Sequence, residues 1–264
     1  MVRLDTLIAI ALEGGREVMA VYGTDFSAGT KSDASPVTDA DLRSERVILE
    51  RLRAAAPEVT IVAEEAMAAG RVPAEAETLF LVDPLDGTKE FVNRNGDFTV
   101  NIALVEAGVP VAGVVYAPAI GALWAGSRGK GAFRAAVEDH VPGTLQPIHT
   151  RAAPEALIAV GSRSHGSAET EAWLSRFSVE RFVSRGSSLK FCLLASGEAD
   201  IYPRLGRTME WDTAAGDAVL RAAGGLVTTL DGAPLVYNKR GQASDVDFAN
   251  PHFVAYGDPA LAAL

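Results

Sequence analysis

Leu79, Phe80, Leu81 and Val82 form an apolar run that stops at Asp83, and Pro84 follows. Such a run, bounded by turn residues, reads as a buried strand. Proline fixes φ and offers no N–H, so the ladder is expected to end there. Asp86 comes three residues after Asp83, and Gly87 permits a tight turn. Two carboxylates and the Leu85 carbonyl can then face one small volume. A hard divalent cation such as Mg²⁺ takes this set of oxygens, completed by water and a substrate phosphate. An Asp-rich turn after a strand explains the same residues without any chemistry. Residues elsewhere in the chain must decide between the two.

At 264 residues the chain suits one large α/β domain, or two subdomains sharing a core. No run of about 18 apolar residues occurs, so no transmembrane helix is expected. The start, Met1-Val2-Arg3-Leu4-Asp5, lacks the apolar region of a secretory leader. The single cysteine, Cys192, excludes an intrachain disulfide and suits a reducing compartment. It lies in an apolar run and reads as a buried small hydrophobe. These features predict a soluble, cytoplasmic protein. A net charge of −10 argues against binding polymeric nucleic acid. It does not exclude a phosphorylated small molecule, because metal ions can reverse the local field of an acidic site.

In chain order, apolar spacing predicts an amphipathic helix over residues 3 to 22, with Gly14-Gly15 as a break or kink. A polar loop from Lys31 through Asp33 leads to a helix ending near Ala56, capped by Thr38 or Asp39. Asp41 falls in its first turn, where the macrodipole favours a carboxylate, so capping competes with catalysis there. Residues 59 to 63 predict a strand that ends on Glu64-Glu65, a second strand terminating in acids. Chemistry collects at such carboxyl ends in open α/β sheets. A loop or broken helix is expected over 66 to 78. Residues 98 to 106 and 109 to 116 predict a β-hairpin, and 122 to 125 and 131 to 134 two short strands. The intervening Gly126-Ser-Arg-Gly-Lys-Gly131 lacks P-loop spacing and reads as a hairpin turn. Proline and glycine over 135 to 154 mark a seam between subdomains.

The second half alternates strands and helices. Strands are expected at 157 to 160, 181 to 183 and 199 to 203, and a helix at 170 to 177. Adjacent Ser164 and His165 do not suggest a serine hydrolase, since no G-x-S-x-G elbow exists. Arg185-Gly186-Ser187-Ser188-Leu189-Lys190 opens a helix through Ala195, either as an anion site or as a plain serine cap. Arg204 follows the third strand. A helix from Trp211 ends at Gly224-Gly225. Asp212 at its start caps it or delivers a further carboxylate. No role is assigned to Asp217. No internal repeat or low-complexity segment is present.

Glu64-Glu65, Asp83-Pro-Leu-Asp86-Gly-Thr88 and Trp211-Asp212-Thr-Ala-Ala-Gly216 together resemble the signature set of the inositol monophosphatase superfamily, in order and across almost the whole chain. Lys89-Glu90-Phe91 after the Asp-Gly-Thr, Ser162-Arg-Ser-His165, Gly186-Ser-Ser-Leu-Lys190 and Tyr202-Pro-Arg204 look like its CysQ type, the 3'(2'),5'-bisphosphate nucleotidases. Inositol monophosphatases usually carry a Thr or Asn, then an Asn, where this chain has Lys89-Glu90.

The resemblance implies an α/β (α+β) chain in a layered αβαβα sugar-phosphatase fold. Residues 1–148 would form an N-terminal subdomain with most metal ligands, and 149–264 a C-terminal α/β subdomain. It implies hydrolysis of the 3'-phosphate of adenosine 3',5'-bisphosphate to AMP with two or three Mg²⁺ ions. Glu64, Asp83, Asp86, Asp212 and the Leu85 carbonyl would hold the metals. Thr88 and Asp41 would position and deprotonate the attacking water, with Glu64 also catalytic. Gly87, Thr88, His165, Gly186, Ser187, Lys190, Arg204 and Asp212 would contact substrate. The resemblance also allows a homodimer and peripheral association with the inner membrane. Two alternatives stand beside this reading. One is an inositol-1-monophosphatase or related sugar phosphatase, which Lys190 and Arg204 weigh against. The other is a nucleotide-sensing or partner-binding protein with weak catalysis, which the intact set of acids weighs against.

Overall fold

The computed structural model describes residues 2–30, 36–162 and 168–264. The polar loop at Lys31 and Asp33, and the Ser164-His165 pair, lie outside the described residues. Helix α1 (Leu4–Tyr22) buries the predicted apolar stripe, including Leu7, Ile8, Ala11 and Val18. Gly14 and Gly15 do not break it. A Cβ on Gly14 would come 2.7 Å from Ile48, and one on Gly15 would strike the Tyr116 ring, so the pair allows close approach. Strands β1 (Gly29–Thr30) and β2 (Pro36–Val37) pair with each other. Helix α2 (Asp39–Ala55) is capped by Thr38, whose hydroxyl accepts from the Ala40 N–H at 3.2 Å.

β3 (Thr60–Ala63) runs directly into α3 (Glu64–Ala68). β4 (Thr78–Asp86) corrects the expectation that Pro84 ends the strand. Its pairing with β5 (Thr99–Glu106) skips Pro84 and Leu85 and resumes at Asp86 opposite Thr99. The irregularity absorbs the missing N–H. After β4 comes the short α4 (Thr88–Val92). β6 (Val109–Ala117), β7 (Ala122–Ser127) and β8 (Gly131–Glu138) continue an antiparallel meander, with β9 (Val141–Pro142) and β10 (Gln146–Ile148) folding back on β8. Part of the stretch expected to be a seam is therefore sheet.

The remainder comprises β11 (Leu157–Ser162), α5 (Ala168–Leu174), β12 (Val179–Arg185), α6 (Leu189–Ala195), β13 (Ile201–Arg204), α7 (Glu210–Ala223), β14 (Leu226–Thr229) and β15 (Phe253–Tyr256). The larger sheet has the order β10-β8-β7-β6-β5-β4-β3, with β3 and β4 parallel. The smaller has the order β12-β11-β13-β15-β14.

Strand alternation then builds five layers. Phe80, Val82, Ile102 and Tyr116 face α1 and α2. Leu79, Leu81, Ala103 and Val115 face the opposite way, onto α6, α7 and the smaller sheet. The far face of the smaller sheet, with Ala159, Ile201 and Val254, meets Leu174 of α5 and Leu261. The order is αβαβα, as expected. No helix among the described residues is long and apolar enough to cross a membrane.

Helix α7 lies close on the larger sheet because small residues meet there. A Cβ on Gly113 of β6 would come 2.5 Å from the Ala215 carbonyl, a backbone atom that cannot swing aside. Gly113→Ala is expected to cost about 1–3 kcal/mol by overpacking. Its thermal melt should fall by about 2–10 °C.

Candidate active site

Parallel pairing places Ala63 beside Val82, so β3 and β4 end side by side. Glu64 leaves the first strand and Asp83 lies in the second, and their carboxyl groups share a hydrogen bond. The bulge turns Asp86 toward the same region. Gly87 then takes φ +91°, and a Cβ there would come 3.1 Å from the Asp97 carbonyl. That turn delivers Thr88, whose hydroxyl lies 3.2 Å from Asp41 Oδ1 and 3.3 Å from the Leu85 carbonyl. Asp41 also accepts at 2.7 Å from both the Thr38 N–H and the Thr38 hydroxyl. It is thus a helix-capping residue and a partner of Thr88 at once.

The fourth acid comes from the C-terminal half. Asp212 Oδ2 accepts from the Met209 N–H at 2.7 Å, so it does cap α7. Its charge nevertheless acts on Asp83, together with Glu64 and Asp86. Burial first, and then these like charges, push the Asp83 and Asp212 carboxyls well above their usual range. Asp86 is raised by burial to about 6, against the opposing pull of Lys190 and Asn101. Asp83 Oδ1 accepts from the Leu85 N–H at 3.0 Å. Among the described residues no three His, Cys, Asp or Glu side chains are gathered into a finished coordination shell. The donor chemistry still fits a hard divalent cation: Asp83, Asp86 and Asp212 are held above their usual range, and the Glu64 carboxylate acts on them.

Three of these acids, Glu64, Asp86 and Asp212, border a cleft of about 260 Å³. Glu64, Asp86, Gly87, Thr88 and Asp212 line it together with Gly186, Ser187, Lys190 and Arg204. Asp41, Asp83 and Leu85 do not line it and are buried. His165 lies outside the described residues. Lys190 is held by the Ser187 carbonyl and lies 5.4 Å from the Tyr202 ring. Burial lowers its ammonium to about 8, while Asp86 opposes that shift. Ser188 holds the N-cap position of α6 without a side-chain capping bond, and its hydroxyl donates instead to the Asp212 carbonyl at 2.7 Å. Asp217 now has a place. It is buried, paired with Arg221 at 2.6 Å, and accepts from the Tyr237 hydroxyl at 2.9 Å. It therefore pins α7 rather than facing the cleft.

Sequence reading missed Lys89, Glu90 and Arg207 on the cleft wall, and Thr99 and Asn101 beneath it. The last two carried a signal: polar residues two apart, on one face of a strand of the predicted β-hairpin.

The raised acids set the pH behaviour of the chain. Because Asp86 binds its proton more tightly folded than unfolded, its ionisation favours the unfolded state. The cation-free chain should therefore lose stability as pH rises through about 6, with Asp83 and Asp212 extending the loss upward. Mg²⁺ at about a hundredfold excess over its Kd should restore about 2.7 kcal/mol, or about 5–10 °C, at alkaline pH. The gain should shrink as the pH drops below about 6. Thermal melts across pH with and without Mg²⁺ check this.

The inositol monophosphatase family model matches residues 2–251. The 3'(2'),5'-bisphosphate nucleotidase CysQ of Shigella flexneri is 43% identical over 252 residues, covering 95% of this chain and 98% of that protein. The protein of that name from Escherichia coli K12 shows the same identity and coverage. Among solved structures, CysQ from Bacteroides thetaiotaomicron superposes with a TM-score of 0.76 at 38% identity, covering 96% of each chain. An IMPase from Thermotoga maritima superposes with a TM-score of 0.76 at 26% identity, covering 97% of this chain and 92% of the other. With its acids carried on a shared five-layer fold, the chain belongs to the inositol monophosphatase family.

Proposed function

We propose that this protein is a 3'(2'),5'-bisphosphate nucleotidase that hydrolyses the 3'-phosphate of adenosine 3',5'-bisphosphate to AMP and phosphate. The observation that carries this choice of substrate is a pair of cations, Lys190 and Arg204, on the wall of the same cleft as the acids. Lys190 acts on Asp86 and Arg204 on Asp212. The buried Arg204 Nε has no hydrogen-bond partner among the described residues. A buried donor left without an acceptor is costly, and a second phosphate supplies one. A polyol phosphate has no such group to offer. The names and near-complete coverage of the CysQ relatives support the same reading.

The family is metal-dependent, and here Glu64, Asp83, Asp86, Asp212 and the Leu85 carbonyl would hold two or three Mg²⁺ ions. Bound Mg²⁺ would neutralise the phosphate and lower the pKa of a nearby water. The chain's own residues then orient and deprotonate. Thr88 gives its proton to Asp41, so its oxygen presents lone pairs to the cleft and can accept from the attacking water. As the water oxygen bonds to phosphorus, its proton passes to Thr88 and the Thr88 proton to Asp41; the bond to the 3'-oxygen breaks, and that oxygen leaves with the bonding pair and takes a proton from solvent water. Gly87, Gly186 and Ser187 shape the wall against the sugar, and His165 would meet the base. In this reading residues 1–148 supply most of the acids and 149–264 most of the cations, in a cytoplasmic chain that can pair as a homodimer.

Phosphate release with Mg²⁺ from adenosine 3',5'-bisphosphate and inositol 1-phosphate, measured side by side, tests the reading. The nucleotide should be strongly preferred. Arg204→Ala should raise its KM by about 10–100-fold, the worth of a hydrogen bond to a charged group. Preference for inositol phosphate would overturn the substrate assignment, and activity on neither would favour a nucleotide-sensing role.

A further inference from the structure

Asn101 is fully buried on β5 and lies between the two halves of the site. Its amide donates to Asp86 Oδ2 at 3.3 Å and to Ser188 Oγ at 3.0 Å. Nitrogen must face Asp86, because an ionised carboxylate only accepts. The amide oxygen therefore faces Thr99, whose hydroxyl donates to it at 2.9 Å. With the Thr99 proton committed, the 2.9 Å contact between Thr99 and Ser187 must take its proton from Ser187. Ser188, which accepts from Asn101, passes its own proton to the Asp212 carbonyl at 2.7 Å.

Donation thus runs one way, from Ser187 to Thr99 to Asn101. It then branches, to the Asp86 carboxylate and through Ser188 to the start of α7. Ser187 holds φ +47°, a region that residues other than glycine rarely enter, so neighbours must hold the loop there. Neither Thr99 nor Asn101 lines the cleft, and both are fully buried. Whatever they do for the reaction, they do through the groups they hold.

We propose that Asn101, oriented by Thr99, is a positioning residue that fixes Asp86 relative to both Asp212 and the loop carrying Ser187. It sets the spacing of two acids that belong to different halves of the chain. Only an amide fits this position, since the site calls for two donors on one side and an acceptor on the other. Ser187 reaches the cleft with its proton already spent, so it offers a ligand lone pairs only. The inference rests on the reading of Asp86 and Asp212 as cation-binding residues.

Isothermal titration of the full chain with Mg²⁺ alone, paired with thermal melts, tests it. Asp86→Asn should weaken binding, which checks the underlying reading. Asn101→Leu should weaken it by about tenfold or more, the usual cost of losing a partner that orients a ligand. Ser188→Ala should weaken it less, and the double variant should fall short of the sum, because both act along one chain. If Asp86→Asn weakens binding while Asn101→Leu lowers only the melting temperature, the positioning role is wrong. If Asp86→Asn binds Mg²⁺ like the wild type, the cation reading fails and takes the inference with it. Should Asn101→Leu not fold, Thr99→Val carries the same test, with weakened Mg²⁺ binding expected and unchanged binding overturning the role.

Discussion

Like charge held in a small, dry volume is the constraint on which this molecule turns. Asp83 is pressed by Glu64, Asp86 and Asp212, and burial makes that repulsion expensive. Such an arrangement persists only if the backbone holds it. Parallel pairing of β3 with β4 fixes Glu64 beside Asp83. The bulge at Pro84 and Leu85 gives Asp86 its direction, and the Ser44 hydroxyl secures it by donating to the Pro84 carbonyl at 3.0 Å.

The fourth acid must be brought in from far along the chain, and packing does that work. Ala214, Ala215 and Gly216 are buried on the face of α7 that lies between the sheets. The segment after β14 then clamps the first turn of that helix. Glu210 is fully buried and paired with Lys239 at 2.6 Å, and the Asn250 amide donates to the Met209 carbonyl at 2.8 Å. Breaking a pair of this kind leaves an uncompensated buried charge, so the start of α7 has little freedom to drift. The five layers thus bring Asp83 and Asp86 of the larger sheet, Arg204 of the smaller sheet, and Lys190 and Asp212 of the helices between them to one place.

Much of this was legible in the chain. The Asp-x-x-Asp after an apolar strand located the acids, because burial and turn chemistry both leave marks in sequence. The layered architecture followed from the resemblance rather than from periodicity. Four things stayed hidden for physical reasons. Pro84 read as a stop, because whether pairing resumes past a proline depends on the partner strand. Gly14-Gly15 read as a break, because the side chains that fill their space, Ile48 and Tyr116, are remote in sequence. Asp217 was left without a role: Arg221, four residues on, is a local partner, but Tyr237, which completes its burial, lies 20 residues away on a segment without regular structure. The Asn101 network escaped for the same reason: its contacts join residues 87 positions apart.

Bound cations would be the counterweight to the buried acids, so locating them is the most direct test. Anomalous diffraction from crystals grown with Mn²⁺ in place of Mg²⁺ would do so. Peaks among Glu64, Asp83, Asp86, Asp212 and the Leu85 carbonyl, at about 2.0–2.3 Å from their oxygens, are the expected result. Strong peaks elsewhere, with these four acids left to their own hydrogen bonds, would contradict it.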